Sequence, residues 1–318
     1  MAKRHPIFFS IIVTLIFQLT MNAVVVVLYY FAPRFLMQNG EFLLQGVVEA
    51  FTALVGIGTV YLFKCQKIWG ERGFGFANGL GASAYFIVVS LIALGQSVFE
   101  VVVGYQGNVD RPWKIAVFVI TVFLIGFTEE IFFRGVVANL FFDKYGKTPA
   151  GVWVATIASG LVFGLMHIGN ILSADKVGVL VQVFAVTAMG IALSAIYYRC
   201  RNIWVLIFVH AFLDFCGAFT AGVTGGTISG EVSSYIPDQC ASAVPYLIVA
   251  FILLRPKKLR EILAYSQSGD TVPTKQQIAK FEVPKSDTGM IIRLVVAILI
   301  AISVGILIYG GAVYYYNN

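Results

Sequence analysis

Charge is what this chain has least of. Asp, Glu, Lys and Arg make up 12% of its 318 residues, where a soluble domain carries about 25%. With a hydrophobic share of 59% and a mean hydropathy of +0.86, the composition excludes a large soluble protein. The apolar residues do not alternate with polar ones in short segments, as a membrane β-barrel requires. They come in continuous runs, and about 18 apolar residues suffice to span a bilayer as a helix. Cysteine is scarce as well. Cys65, Cys200, Cys216 and Cys240 form no CxxC pair and match no metal spacing. They read as unpaired structural thiols, with Cys65 and Cys200 in basic loops where a reducing cytoplasm is expected. There is no HExxH zinc signature, no clear internal repeat and no low-complexity tract. What remains is an all-α, polytopic transmembrane bundle.

The net charge of +6 raises nucleic acid as a partner, but the basic residues sit in short clusters between apolar runs, as topology determinants do. The run Ile7 to Ala32, after Lys3 and Arg4, is too long for a cleaved signal and reads as the first span. About eight or nine spans are expected, the full set lying near 7–32, 42–63, 82–104, 115–134, 151–168, 177–198, 202–222, 241–254 and 290–314. With the N-terminus inside, the inner loops collect Lys3/Arg4, Lys64/Lys67/Arg72, Lys144/Lys147, Arg199/Arg201 and the cluster from Arg255 to Lys285. The outer loops hold only Arg34, Arg111, Lys114 and Lys176, and the outer loop 223–240 has Glu231 and Asp238 with no basic residue. This bias supports nine spans with the C-terminus outside. Three parts follow: N-terminal helices over 1–114, a core over 115–222, and C-terminal helices over 223–318 with a polar, proline-containing linker at 255–289.

A charge in the hydrocarbon costs about 2.5–3.5 kcal/mol on insertion scales and persists where it is paired or lines a polar cavity. The ionisable residues within the spans are Glu49, Glu100, Glu129, Glu130, Arg134, His167, His210 and Asp214, and they include two of the chain's three histidines. Glu130 and Arg134 stand four apart on one helix face and can pair. Glu129 lies about 100° round the helix from Glu130 and is the less compensated carboxylate. The bland reading is a Glu–Arg pair that pins helices together, which a second carboxylate does not need. His167 ends the run Phe163-Gly164-Leu165-Met166-His167, where Gly160 and Gly164 form a small-xxx-small face that permits close helix approach. A lone membrane histidine is more often a packing hydrogen-bonder than a catalyst. His210 and Asp214 again share a face at four residues' spacing, either as a self-satisfied pair or pointing into one cavity. Together, carboxylate and imidazole can activate water, and a second histidine with a polar neighbour can steady an oxyanion.

The order Glu-Glu-x-x-x-Arg over 129–134, Phe-x-x-x-His over 163–167 and His-x-x-x-Asp over 210–214 resembles the CAAX protease and bacteriocin-processing family of intramembrane glutamic endopeptidases. The likeness covers about 115–215, a third of the chain, and its first motif is the most specific. It implies a helical fold with an intramembrane cavity open to the cytoplasm. It further implies that Glu129 and His167 activate water, that His210 and Asp214 form the oxyanion site, and that Glu130 and Arg134 support the geometry. No cofactor is implied, and the substrate would be a membrane-associated peptide or lipidated protein. Position 214 is Asp where the eukaryotic prenyl-protein enzymes have Asn. An ionised Asp cannot donate to an oxyanion, so it would act protonated or by orienting His210.

Depth is a partial check. At 1.5 Å per residue Glu129 lies about 21 Å below the outer start of its span and His210 about 12 Å above the inner start of its own. Those depths agree, whereas His167 falls about 24 Å from the inner side. Either its helix starts later than expected or the preceding loop sits in the membrane. Three other functions compete with peptide hydrolysis by Glu129. One is a catalytically silent relative acting as a membrane regulator or in self-immunity against a secreted peptide. Another is a metal hydrolase built on Glu129, His167, His210 and Asp214. The third is a transporter, which Glu49 and Glu100 fit better than a protease does.

Overall fold

In a computed structural model of the chain, residues 2–34, 40–172, 175–226, 237–268 and 272–317 are described. Glu231 of the expected outer loop lies outside them, as does the side chain of Asp238. Among the described residues there are helices and no strands. Each apolar run of the sequence becomes a helix: α1 (Pro6–Phe31), α2 (Glu41–Leu62), α3 (Phe76–Ala82), α4 (Ala84–Phe99), α5 (Pro112–Phe132), α6 (Asn139–Tyr145), α7 (Pro149–Met166), α8 (Lys176–Cys200), α9 (Ile203–Gly217), α10 (Phe219–Thr224), α11 (Ala243–Leu253), α12 (Pro256–Gln267), α13 (Lys275–Lys280) and α14 (Thr288–Asn317). Proline opens α1, α5, α7 and α12, where its missing N–H costs nothing and its φ suits the first turn. Side-chain caps mark the start of α7 as well and those of α8 and α9: the Gly151 N–H donates to Thr148 at 3.2 Å, that of Gly178 to Asp175 at 2.8 Å and that of Trp204 to Asn202 at 3.1 Å.

Every expected span has its helix, but not every helix is long enough to cross alone. Among the described residues seven segments are: Pro6–Phe31, Glu41–Leu62, Ala84–Gly104, Pro112–Tyr145, Pro149–Ile171, Lys176–Cys200 and Thr288–Ile308. The expected span at 202–222 is instead the 15-residue α9, about 22 Å at 1.5 Å per residue, with α10 beyond a break at Ala218. The expected span at 241–254 is the first arm of a pair, Cys240–Leu253 and Pro256–Gln267, bent by 64°. The polar stretch 255–289 is therefore not an irregular linker throughout. Its α12 buries Leu259, Ile262, Leu263 and Tyr265, and Glu261 pairs with Arg199 at the end of α8.

Helix α8 is the axis of the bundle, with 83% of its apolar window buried, against 11% for α1 and 12% for α14, which present apolar surface outward. Lipid tails are as apolar as Leu, so helices in a bilayer associate by close packing rather than by hydrophobic burial. Glycine provides that closeness where the site will be. A Cβ on Gly160 would stand 2.6 Å from the Ile191 backbone nitrogen, and one on Gly164 would stand 2.8 Å from Thr187 Cα, so the small-xxx-small face of α7 seats on α8 as the sequence implied. Gly126 does the same for α5 and α9, since its Cβ would lie 2.7 Å from the backbone nitrogen of Ala211.

Gly126→Ala sets two effects against each other. Alanine is the better helix former by about 1 kcal/mol, but a methyl driven into the Ala211 backbone overpacks the contact at a cost of about 1–3 kcal/mol. Packing is expected to win, and the midpoint of thermal unfolding in detergent should fall. A midpoint above wild type would mean that α5 and α9 can part freely.

Candidate active site

The first motif lies near the end of α5, where the helix changes character. Residues Phe133–Ala138 form a π-helical segment leading directly into α6, a departure that recurs at functional sites. Glu130 is wholly buried, and its Oε1 accepts a hydrogen bond from Arg134 Nη1 at 2.7 Å, the pair that the four-residue spacing predicted. The same oxygen lies 2.7 Å from Nδ1 of His210 on α9. This second contact joins residues eighty apart, and nothing in either motif alone announces it. The Arg134 guanidinium stacks over the Phe163 ring at 4.1 Å, which suits a cation whose Nε and Nη2 have no hydrogen-bond partner among the described residues.

With Nδ1 held by Glu130, the imidazole presents Nε2 to the other side. There it stands 3.7 Å from Glu129 Oε2 and 3.7 Å from Asp214 Oδ2. Both distances exceed a direct hydrogen bond and suit a bridging water. Exposure rises outward from this point: the Glu130 side chain is 0% exposed, that of Glu129 12% and that of Asp214 29%. The two neighbouring glutamates thus occupy different surroundings, one held by Arg134 and His210 and the other partly exposed, as the turn of about 100° between them requires. The structure therefore brings Glu129, Glu130, Arg134, His210 and Asp214 together.

His167 joins them less directly. Helix α7 starts at Pro149 rather than later, which removes one explanation of its expected depth. The residue opens a 3-10 turn, His167–Leu172, just past the helix end. Its Nδ1 lies 3.0 Å from the carbonyl oxygen of Phe163, and its ring meets the Phe163 ring edge-on at 5.2 Å. Phe163 in turn touches the His210 ring at 5.9 Å. The Phe163 ring thus stands between the two histidines, and among the described residues no ion pair links His167 to Glu129.

Two further carboxylates were assigned by the sequence to a transporter reading, and they separate here. Glu100 accepts from Thr220 at 2.9 Å near an exposed end of the bundle, apart from the motifs. Glu49 is buried on α2, where Gln45 donates to its Oε1 at 2.8 Å and its backbone carbonyl accepts from Thr128 at 3.4 Å. Glu129 and Asp214 are its charge neighbours. The signal that could have placed it is Gln45, a second polar residue one turn earlier on the same face. A cleft of about 380 Å³ lined by Lys67, Gly70, Glu71, Arg72, Gly73, Tyr265 and Val272 touches none of the motif residues, so it is not the cavity that the family resemblance led one to expect. Among the described residues no group of three or more His, Cys, Asp or Glu side chains is arranged to hold a metal ion.

Residues 111–216 match the family described as "Type II CAAX prenyl endopeptidase Rce1-like". The matched stretch contains all three motifs. The chain is also 25% identical over 151 residues to the Bacillus subtilis (strain 168) protein named "Putative membrane peptidase YdiL". That alignment takes in 46% of this chain and 53% of the relative, so the chain spans about half the length of the curated relative it matches. No solved structure matches it. The family resemblance carried by the motifs is thus borne out, as is the integral-membrane, all-helical class.

Arg134 and Glu130 make a test of the buried cluster that needs no substrate. Arg134→Met removes the cation and leaves Glu130 buried with His210 alone. Breaking a buried pair from one side costs about 3–5 kcal/mol, so this variant is expected to unfold at a markedly lower temperature in detergent. Glu130→Gln retains an acceptor for Arg134 and His210 and should lose less. Equal midpoints for Arg134→Met and wild type would show that the pair does not hold α5 in place.

Proposed function

We propose that this protein is an intramembrane endopeptidase that hydrolyses a peptide bond in a membrane-associated or lipidated substrate. The observation that carries the reading is the arrangement about His210, whose Nδ1 is tied to Glu130 while Nε2 faces Glu129 and Asp214 across gaps of 3.7 Å each. In this reading Glu129, with His167, takes a proton from a water held in that gap. The resulting hydroxide attacks the scissile carbonyl carbon. His210, protonated on both ring nitrogens with its Nδ1–H held by Glu130, donates a hydrogen bond from Nε2–H to the oxyanion that forms. The proton on Glu129 then passes to the departing amine nitrogen. Asp214 steadies the oxyanion site by orienting His210, and Glu130 with Arg134 holds that imidazole in place. The match to the prenyl endopeptidase family and to a relative named as a membrane peptidase supports this reaction class.

The orientation that fits is the one with the N-terminus in the cytoplasm, on the strength of the loop charges, and a bacterial cell membrane is the setting that the Bacillus relative favours. The competing reading is a silent relative that acts as a membrane regulator or self-immunity protein, and the test separates the two. Purified protein in nanodiscs is offered a pool of lipidated and membrane-derived peptides, and new termini are read by mass spectrometry beside Glu129→Gln. Removing a general base costs about 10²–10⁴-fold. Cleavage is therefore expected to fall by at least that order in the variant, with insertion and unfolding temperature unchanged. Equal cleavage by both proteins, or none by folded wild type, would move the reading to the regulator. Cleavage by wild type that a chelator stops would favour a metal hydrolase.

A further inference from the structure

The motif helix is gripped from behind by side chains outside all three motifs. In a π turn the backbone register slips, so carbonyls lose their usual i+4 partners. Three carbonyls of this segment are met here by side chains. Asn139 Nδ2 donates to the carbonyl oxygens of Arg134 at 3.2 Å and Gly135 at 3.0 Å, and the Tyr198 hydroxyl on α8 donates to that of Ala138 at 2.8 Å. Asn139 is itself fixed. Its Nδ2 also reaches the Tyr197 hydroxyl at 2.9 Å, and its Oδ1 lies 3.5 Å from Arg201 Nη1. Arg201 is clasped by Glu71, whose Oε1 accepts from both Nε and Nη2 at 2.9 Å. Asn139 is 3% exposed, and both tyrosines are fully buried. None of these groups touches Glu129, His167, His210 or Asp214.

The segment they grip contains Arg134. From it, contacts of 2.7 Å run to Glu130 and on to His210 Nδ1, and the imidazole then aims Nε2 at the gap beside Glu129. An α-helix turns about 100° per residue, so a π turn that relaxed to α-helix would rotate α5 against α6 by about that angle. Helix α6 is packed with Leu140, Phe141 and Phe142 buried, so the motif face of α5 would be the part to move. We propose that Asn139 and Tyr198 are positioning residues for the Glu129 site, holding the π turn in the register that keeps Arg134 on Glu130 and His210 aimed at Glu129. This inference rests on the hydrolytic reading for its effect on rate, but not for its effect on His210.

The test uses two variants of the full chain in nanodiscs or detergent. Tyr198→Phe removes one hydroxyl and nothing else; Asn139→Leu keeps the size and removes the donors. The chain has three histidines, so imidazole NMR signals can be assigned by replacing His5 and His167 in turn. In both variants the His210 ring signals are expected to shift or broaden while those of His5 stay fixed. The rate kcat is expected to fall about tenfold to a hundredfold, with KM within about twofold. The loss should also be non-additive with Arg134→Lys, as for groups acting through one network. Unchanged His210 signals in folded Tyr198→Phe would overturn the proposal, as would a rate loss that merely adds to that of Arg134→Lys. If Asn139→Leu does not fold, Tyr198→Phe decides alone. If wild type cleaves nothing, the hydrolytic reading fails while the His210 signals still answer the question of position.

Discussion

A carboxylate with no exposure inside a membrane helix must find its compensation within a few ångströms, and Glu130 finds it twice on one oxygen. Arg134, one turn along the same helix, and His210, from a helix eighty residues later, both meet Oε1 at 2.7 Å. The first contact is local and would form in an isolated helix. The second is tertiary and ties α5 to α9. Because lipid supplies no hydrophobic drive for helix association, this polar bond and the glycine contact just before it are what fix the two helices at one distance and one rotation. The groups around His210 Nε2 inherit their place from that junction. The direction of His210 Nε2 follows from its other nitrogen being occupied, and the separation of Glu129 from Glu130 follows from helical rotation alone.

The same logic runs through the third motif-bearing helix. Gly160 and Gly164 let α7 lie against α8, which brings Phe163 under the Arg134 guanidinium and between the two histidines. The end of α7 is then held by α1, where Gln18 donates to the carbonyl of Met166 at 2.9 Å. That carbonyl belongs to the last turn, where intrahelical donors run out. The bond fixes the point at which the chain turns from α to 3-10 helix and sets His167 at the bend. A helix otherwise mostly exposed to lipid thus has one polar residue placed to hold the site.

What could be read in the sequence was whatever depends on spacing along one helix. The pairing of Glu130 with Arg134, the shared face of His210 and Asp214, and the close-packing face at Gly160 and Gly164 are all intervals of four, and each was legible for that reason. The nine apolar runs were legible too, since hydropathy is a local sum. Contacts between helices were not. The Glu130–His210 bond depends on how far α5 and α9 interpenetrate, and Gly126 reveals that only once its neighbour Ala211 is known. Glu49 was seen as an intramembrane carboxylate, but its position beside Glu129 and Asp214 depends on the packing of α2 on α5. The length of α9 was overdrawn because apolar residues continue past Gly217 into α10, and composition does not register a break in direction. The polar stretch after Arg255 hid an amphipathic helix because its mean hydropathy is low even though its apolar residues share one face.

Two adjacent glutamates of identical chemistry end in opposite conditions, and that difference is where a reactive group comes from. Glu130 is wholly buried, and its Oε1 is held at 2.7 Å by both the Arg134 guanidinium and the His210 imidazole. Glu129 is partly exposed, has no ion-pair partner nearer than 3.7 Å among the described residues and shares its surroundings with the acidic Asp214. A carboxylate so placed has room for a water and few competing donors, the condition under which a carboxyl group acts as acid or base rather than as a structural tie. Neither glutamate would suffice alone. Without Glu130 the imidazole could turn its Nδ1 elsewhere and Nε2 would lose its aim. Without Glu129 the buried Glu130–Arg134 pair would remain, but the gap at His210 Nε2 would be left with Asp214 alone. Arg134 and His210 compensate the buried Oε1 of the first carboxylate, and that same contact aims His210 at the second, so the stability of the bundle and the readiness of the site rest on the same three side chains.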